Sequence, residues 1–234
     1  MTDTGRSMIV YFATSSDVKL RQYQHIFAQL GHQVVRASTV LGSVAEPQAD
    51  PDLRDAEQAL VSHPLRQVAR FVERAGTLPY VIEDTMLVID ALSRRQRDPL
   101  GLPGADTKSW WRNLGSEGLL SLLEGRERRG AMYVCQLGAY LGKGQYVFKK
   151  SVLMGTISPA RRSSEAALRD VPVSNPHFFH DIFMPDGRQS TLAEMEGPAF
   201  ASVDYRGACA RSLMDELGKL RYEQQRQLVL ELGR

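Results

Sequence analysis

At 234 residues, with 43% hydrophobic and 24% charged residues, the chain is long enough for one large domain, or one domain in two lobes, around a sizeable core. A formal net charge of +2 makes no case for non-specific nucleic-acid binding, and no apolar run reaches the ~18 residues needed to span a bilayer. Two cysteines, Cys135 and Cys209, make no disulfide framework, and the start MTDTGRS lacks an apolar signal core, so reduced thiols in the cytoplasm are the expectation.

In chain order, MIVYFAT (8–14) reads as a buried first strand. DVKLRQYQHIFAQLG (17–31) follows as a helix, with Leu20, Tyr23, Phe27 and Leu30 on one face and Gly31 as its C-terminal stop. HQVVRAS (32–38) is a second strand, and the proline-bearing acidic stretch 44–55 is a loop. HPLRQVARFVERAG (63–76) is a helix with Leu65, Val68, Ala69 and Val72 inward. PYVIEDTMLVI (79–89) is a strand, 94–106 a loop, and 107–125 two short helices. Residues 131–157 form a hairpin about GKGQ. Residues 158–176 are a polar insertion with one helical turn, 178–187 a short strand and turn, 207–220 a helix and 221–232 a charged tail helix. Alternating strands and helices followed by clustered strands give an α/β class with a mixed sheet.

Within LPYVIEDTMLVIDAL (78–92), Glu83 and Asp84 interrupt an otherwise apolar run. A buried unpaired carboxylate costs several kcal/mol, so something must offset it. Adjacent strand residues point to opposite faces, so one acid can line a cleft while the other meets a cation. A divalent metal is one solution, since Mg²⁺ takes one or two carboxylates plus phosphate oxygens; Lys19 is the other. Solvated acids on an edge strand are the plain alternative, but apolar residues flank the pair on both sides.

ATSSDVK (13–19) places small hydroxyl residues after a strand and before a helix, where backbone N–H groups can meet an anion and Lys19 can reach it. The same pattern also serves simply as an N-cap. His177, His180 and Asp181 have metal-pair spacing only on a helix, and the surrounding phenylalanines argue for a strand. Trp110 and Trp111 read as packing, Cys135 as core, and Arg206 as a phosphate or base contact or a solvated side chain.

The ordered motifs ATSSDVK, LPYVIEDTMLVIDAL, GLPGADTKSWW, GLLSLLEG, GTI, DIFMPDGRQSTLAEM and YRGACARSLMDEL resemble the inosine triphosphate pyrophosphatase family over about residues 8–217. The resemblance implies a long twisted mixed sheet with helices, in two lobes around a central nucleotide cleft, and a homodimer. It implies Mg²⁺-dependent hydrolysis of a non-canonical purine nucleoside triphosphate to monophosphate and pyrophosphate. By position, Lys19 would hold phosphates, Thr14, Ser15 and Ser16 would line the phosphate loop, and Lys108 would contact substrate. Glu83 and Asp84 would bind metal or activate water, and Asp50 would be the upstream metal ligand.

One departure lies in the first loop, where Ser15-Ser16 stands for the family's Gly-Asn, and the rest fall in the base-recognition half. Phe178 fills a glycine place, His180 an aspartate place and Phe200 a lysine place, and the Ser-His-Arg motif has become Asp204-Tyr205-Arg206. Two charge-assisted contacts, each about 1.5–3 kcal/mol, are thereby gone. Aromatic Phe178, Phe179, Phe200 and Tyr205 are left to grip a base by stacking. Two functions stand open: a diverged pyrophosphohydrolase using Lys19, Glu83 and Asp84, or a silent homologue that senses the nucleotide and reports to an effector protein, for example in anti-phage defence.

Overall fold

The structure, a computed structural model, describes residues 7–42, 56–93, 101–164 and 179–232. Seven strands form one mixed sheet among the described residues. They are β1 (Ile9–Ala13), β2 (Gln33–Arg36), β3 (Tyr80–Ile89), β4 (Pro103–Gly104), β5 (Gly130–Gly142), β6 (Gln145–Ile157) and β7 (Phe183–Pro185). The order is β2-β1-β3-β5-β6-β7, with β4 added alongside β3. β1 runs parallel to β2 and β3, whereas the β3-β5, β5-β6 and β6-β7 pairings are antiparallel. The helices are α1 (Asp17–Gln29), α2 (Ser38–Leu41), α3 (Ala56–Arg74), α4 (Thr107–Leu122), α5 (Gly197–Ala201) and α6 (Tyr205–Leu232).

β3 is an interior strand, which is why its sequence is nearly continuous apolar rather than alternating. Its odd residues Val81, Leu87 and Ile89 join Phe12, Tyr133, Leu137 and the inner faces of α1 and α6 in one core. Its even residues Tyr80, Ile82 and Met86 join Val134, Tyr140 and α3's Leu65, Val68 and Val72 in another. Glu83 and Asp84 therefore lie on opposite faces, as strand alternation requires.

Several boundaries differ from the sequence reading. α3 starts at Ala56 rather than 63 and carries Pro64 inside. The two short helices read over 107–125 are present as the two pieces of α4, broken at Gly115, whose φ of 60° and ψ of −173° no helix accommodates. The expected loop 94–106 contains β4, paired with Leu87 and Val88. The helices read at 207–220 and 221–232 are one continuous α6. Residues 158–164 contain no helical turn, and the rest of the expected insertion to 176 lies outside the described residues. The strand read from 178 begins only at Phe183, after a turn in which Phe179 has a φ of 63°. No helix among the described residues is long and apolar enough to cross a membrane.

Candidate active site

β1 ends at Ala13, and the next three residues turn the chain into α1. Thr14 Oγ1 accepts the Ser16 N–H at 3.1 Å, and Ser16 Oγ accepts the Lys19 N–H at 3.3 Å, so Ser16 is the N-cap. Thr14 is buried and Ser15 exposed. This cap sets Lys19 one turn into the helix, with Nζ 2.8 Å from Glu83 Oε2. The cost of burying the Glu83 carboxylate is offset here by lysine, and also by a second cation.

That second cation is Arg206, at the start of α6. Its Nε lies 3.5 Å from Glu83 Oε1, and its Nη1 donates to Gln22 Oε1 at 3.0 Å. The guanidinium is buried and lies 5.2 Å from the Tyr205 ring centroid. Thr85 Oγ1 also donates to Glu83 Oε1, and the Cys135 thiol donates to the same oxygen at 3.7 Å. Burial pushes the Glu83 carboxyl up, but Lys19 and Arg206 together outweigh it and hold the group below the usual range. Burial likewise pulls Lys19 down, and Glu83 and then Asp84 reverse that to a net rise.

Asp84 is different. It is half-buried on the other face, and Thr85 N–H donates to its Oδ1 at 2.8 Å. Burial drives its carboxyl up, Lys19 draws it part of the way back, and the Glu83 charge adds to the rise, leaving it at about 6. Lys108, exposed on the first turn of α4, also tempers it. Adjacent acids thus hold opposite protonation tendencies, the arrangement from which acid–base roles are built.

Behind this pair sits a closed aromatic cluster. Tyr205 stacks on Tyr133 with centroids 5.1 Å apart and planes 2° apart. His180 meets Tyr133 edge-on at 5.6 Å, and its Nε2 lies 3.3 Å from the Tyr205 hydroxyl. Burial, then Arg206, lowers the His180 imidazole to about 3. Phe179 is buried edge-on to Trp111 at 5.2 Å, and Phe200 is buried in the same core. Asp181 is held by Ser116 Oγ at 2.5 Å and Arg161 Nε at 2.6 Å, so it is bound within the fold rather than aimed at a metal.

The structure thus gathers Thr14, Ser16, Lys19, Glu83, Asp84 and Arg206, and it sets Phe179, His180, Phe200 and Tyr205 in a buried wall beside them. Asp50, His177 and Phe178 lie outside the described residues. No three His, Cys, Asp or Glu side chains converge as a metal site among the described residues. Sequence reading missed Gln22 and Thr85 and gave Cys135 only a core role. Thr85 was legible in principle, since it shares Glu83's face two residues on along the strand.

The Ham1 family model matches residues 10–216. The dITP/XTP pyrophosphatase of Pyrococcus horikoshii is 28% identical over 211 residues, covering 90% of this chain and 97% of that protein. The dITP/XTP pyrophosphatase of Ignicoccus hospitalis is 29% identical over 210 residues, covering 88% and 93%. Among solved structures, the Staphylococcus aureus Ham1 protein superposes with a TM-score of 0.63 at 16% identity, covering 91% of this chain and 99% of that one. A HAM1 protein from Coxiella burnetii gives 0.64 at 18% identity, covering 92% and 100%. Those likenesses carry the fold, and the family match runs from the strand ahead of the capped turn into the helix that bears Arg206: the chain belongs to the Ham1 family.

Proposed function

We propose that this chain hydrolyses a non-canonical purine nucleoside triphosphate, of the dITP or XTP kind acted on by its named relatives, to the monophosphate and pyrophosphate. The observation that carries the reading is the Lys19–Glu83 ion pair under the capped turn, with the desolvated Asp84 beside it. Lys19 and the α1 N-terminus receive phosphate oxygens. Asp84 accepts a proton from water, the water oxygen bonds to the α-phosphorus, and the bond from that phosphorus to the α–β bridging oxygen breaks. Pyrophosphate leaves with that oxygen.

The donor set fits Mg²⁺, being hard carboxylate oxygens next to a phosphate-binding turn. Asp84 would hold the ion, with Asp50 as its expected companion, while Glu83 is already engaged by Lys19, Arg206, Thr85 and Cys135. When bound, the ion neutralises charge on the phosphate oxygens. Phe179, His180, Phe200 and Tyr205 form the wall of the base half, with Arg206 at its junction with the phosphate half. The working form is a homodimer, supported by the exposed apolar side chains Phe148, Val152 and Met154 on one face of β6.

A second reading, a nucleotide sensor that holds its ligand and signals to an effector, is favoured by one observation. Lys19, Glu83 and Arg206 are paired with one another, and the base wall is fully packed. Pyrophosphate release from dITP, ITP, XTP and the four ordinary dNTPs with Mg²⁺, measured beside binding of the same panel, separates the two. The expected result is rapid release from one or two non-canonical nucleotides. Asp84→Asn should then lose roughly 10²–10⁴-fold in kcat while still binding nucleotide. Tight binding with no release establishes the sensor instead.

A further inference from the structure

One polar side chain near this site has no role in the scheme above. Gln136 lies in VCQLGAY, the middle of β5, and is only 2% exposed. Among the described residues, neither its Nε2 nor its Oε1 has a hydrogen-bond partner. An amide carries two donors and an acceptor, and burying all of them unpaired is unfavourable. A leucine there would fold at no such cost, since Val134 and Gly138, the residues two before and two after on the same face, lie in apolar surroundings formed by Leu65 and Phe148. Unpaired buried groups of this kind mark places completed by something else.

The register says what lies beside it. Asp84 is the direct cross-strand partner of Gln136, and Lys150 is its partner on the other side. Directly opposed residues share a sheet face with Cβ atoms about 4.5–5.5 Å apart. Acid, amide and ammonium therefore form one row across β3, β5 and β6, on the face away from Glu83. The next residues along β3 on this face, Ile82 and Met86, are apolar and buried. The row is thus the polar strip of an otherwise apolar surface, centred beside the acid that the proposed hydrolysis uses.

We propose that Gln136 is a further substrate-contacting residue of the hydrolytic site. Its amide N–H donates to a non-bridging oxygen of the bound triphosphate, and its carbonyl accepts from the water whose proton passes to Asp84. The carbonyl fixes the water's orientation, and the N–H ties the phosphate to the same rigid strand pair. No bond to Gln136 forms or breaks. The inference rests on the pyrophosphatase reading for its substrate and on the orphaned amide for its place.

Gln136→Leu removes the amide at nearly constant volume, and Gln136→Met serves if that variant folds poorly. Kinetics on dITP and XTP, dITP titration calorimetry and thermal melting are run on wild type and variant. The expected result is a kcat at least tenfold lower with the melting temperature unchanged or raised, because no native hydrogen bond is lost. Wild-type turnover with a variant kcat within threefold overturns the role of Gln136 and leaves the pyrophosphatase reading standing. If wild type turns over no nucleotide, that reading falls, and affinity decides the residue: dITP binding weakened tenfold supports the contact, and equal affinity overturns it.

Discussion

Glu83 is held by two cations that reach it from opposite ends of the chain. Lys19 meets it from the first helix and Arg206 from the last. Burial of three charges is tolerable only because they neutralise one another, and removing one partner leaves an uncompensated charge. Glu83→Gln keeps the shape and leaves Lys19 and Arg206 facing each other. It should destabilise the fold by about 3–5 kcal/mol in chemical denaturation, and adding Arg206→Met should return part of that loss. A single-variant cost below about 1 kcal/mol would show the cluster to be solvated.

His180 supplies a pH signature of its own. Its folded value is about 3, against about 6.5 in an unfolded chain. The unfolded state therefore takes up a proton that the folded state refuses between those values. The contribution is fully present above pH 6.5 and is lost as pH falls toward 3, by up to about 1.4 kcal/mol per pH unit. His180→Phe, which keeps a ring edge on Tyr133, should flatten the stability curve between pH 6 and 4. Equal slopes would mean that His180 is protonated in the fold. The Lys19–Glu83 pairing was legible in the sequence as one of two options, because cap, lysine and acids sit in short motifs. The Arg206–Gln22 bond was not, since 184 positions separate its ends.

Elements were legible where a local signal stood alone. The β5–β6 hairpin turns on Lys143 and Gly144, with φ of 50° and 74°, the positive pair that a two-residue hairpin turn prefers. The break in α4 was legible too, because Gly115 stands between two short apolar runs. Errors arose where a signal had two meanings. Pro64 is a plausible helix start and is in fact interior to α3. The change in composition near 221, just after Gly218, suggested a second helix, yet α6 runs through both without a break. Gln136 escaped notice because a single amide in a strand carries no sequence signal. Only the register that aligns it with Asp84, and the absence of a hydrogen-bond partner among the described residues, single it out.

At the scale of the molecule, the two sheet faces are covered unequally. α1 and α6 cover one face, and on the other α3 covers β3 and β5. β6 lies mostly beyond that cover, with Tyr146 reached by Arg66 of α3. Its even residues Phe148, Val152 and Met154 are 38%, 46% and 52% exposed, with the charged Lys150 among them. A strand with apolar residues directed at solvent asks for a partner surface, since an edge face of a monomer normally alternates to polar. The net charge of +2 opposes self-association only weakly. A second copy of the chain, seated on this row, gives the homodimer proposed above. Light scattering at micromolar concentration should report a dimer, and Val152→Lys with Met154→Lys should shift it to monomer with the fold intact by circular dichroism. The odd residues of β6 pack toward α6, so these outward substitutions leave the core untouched. A wild-type monomer, or a dimer indifferent to both lysines, removes β6 as the dimer face. The turnover assay then tells whether the site needs its second copy: kcat retained in the lysine monomer makes each active site self-sufficient, as expected when Lys19, Glu83, Asp84 and Arg206 all come from one chain.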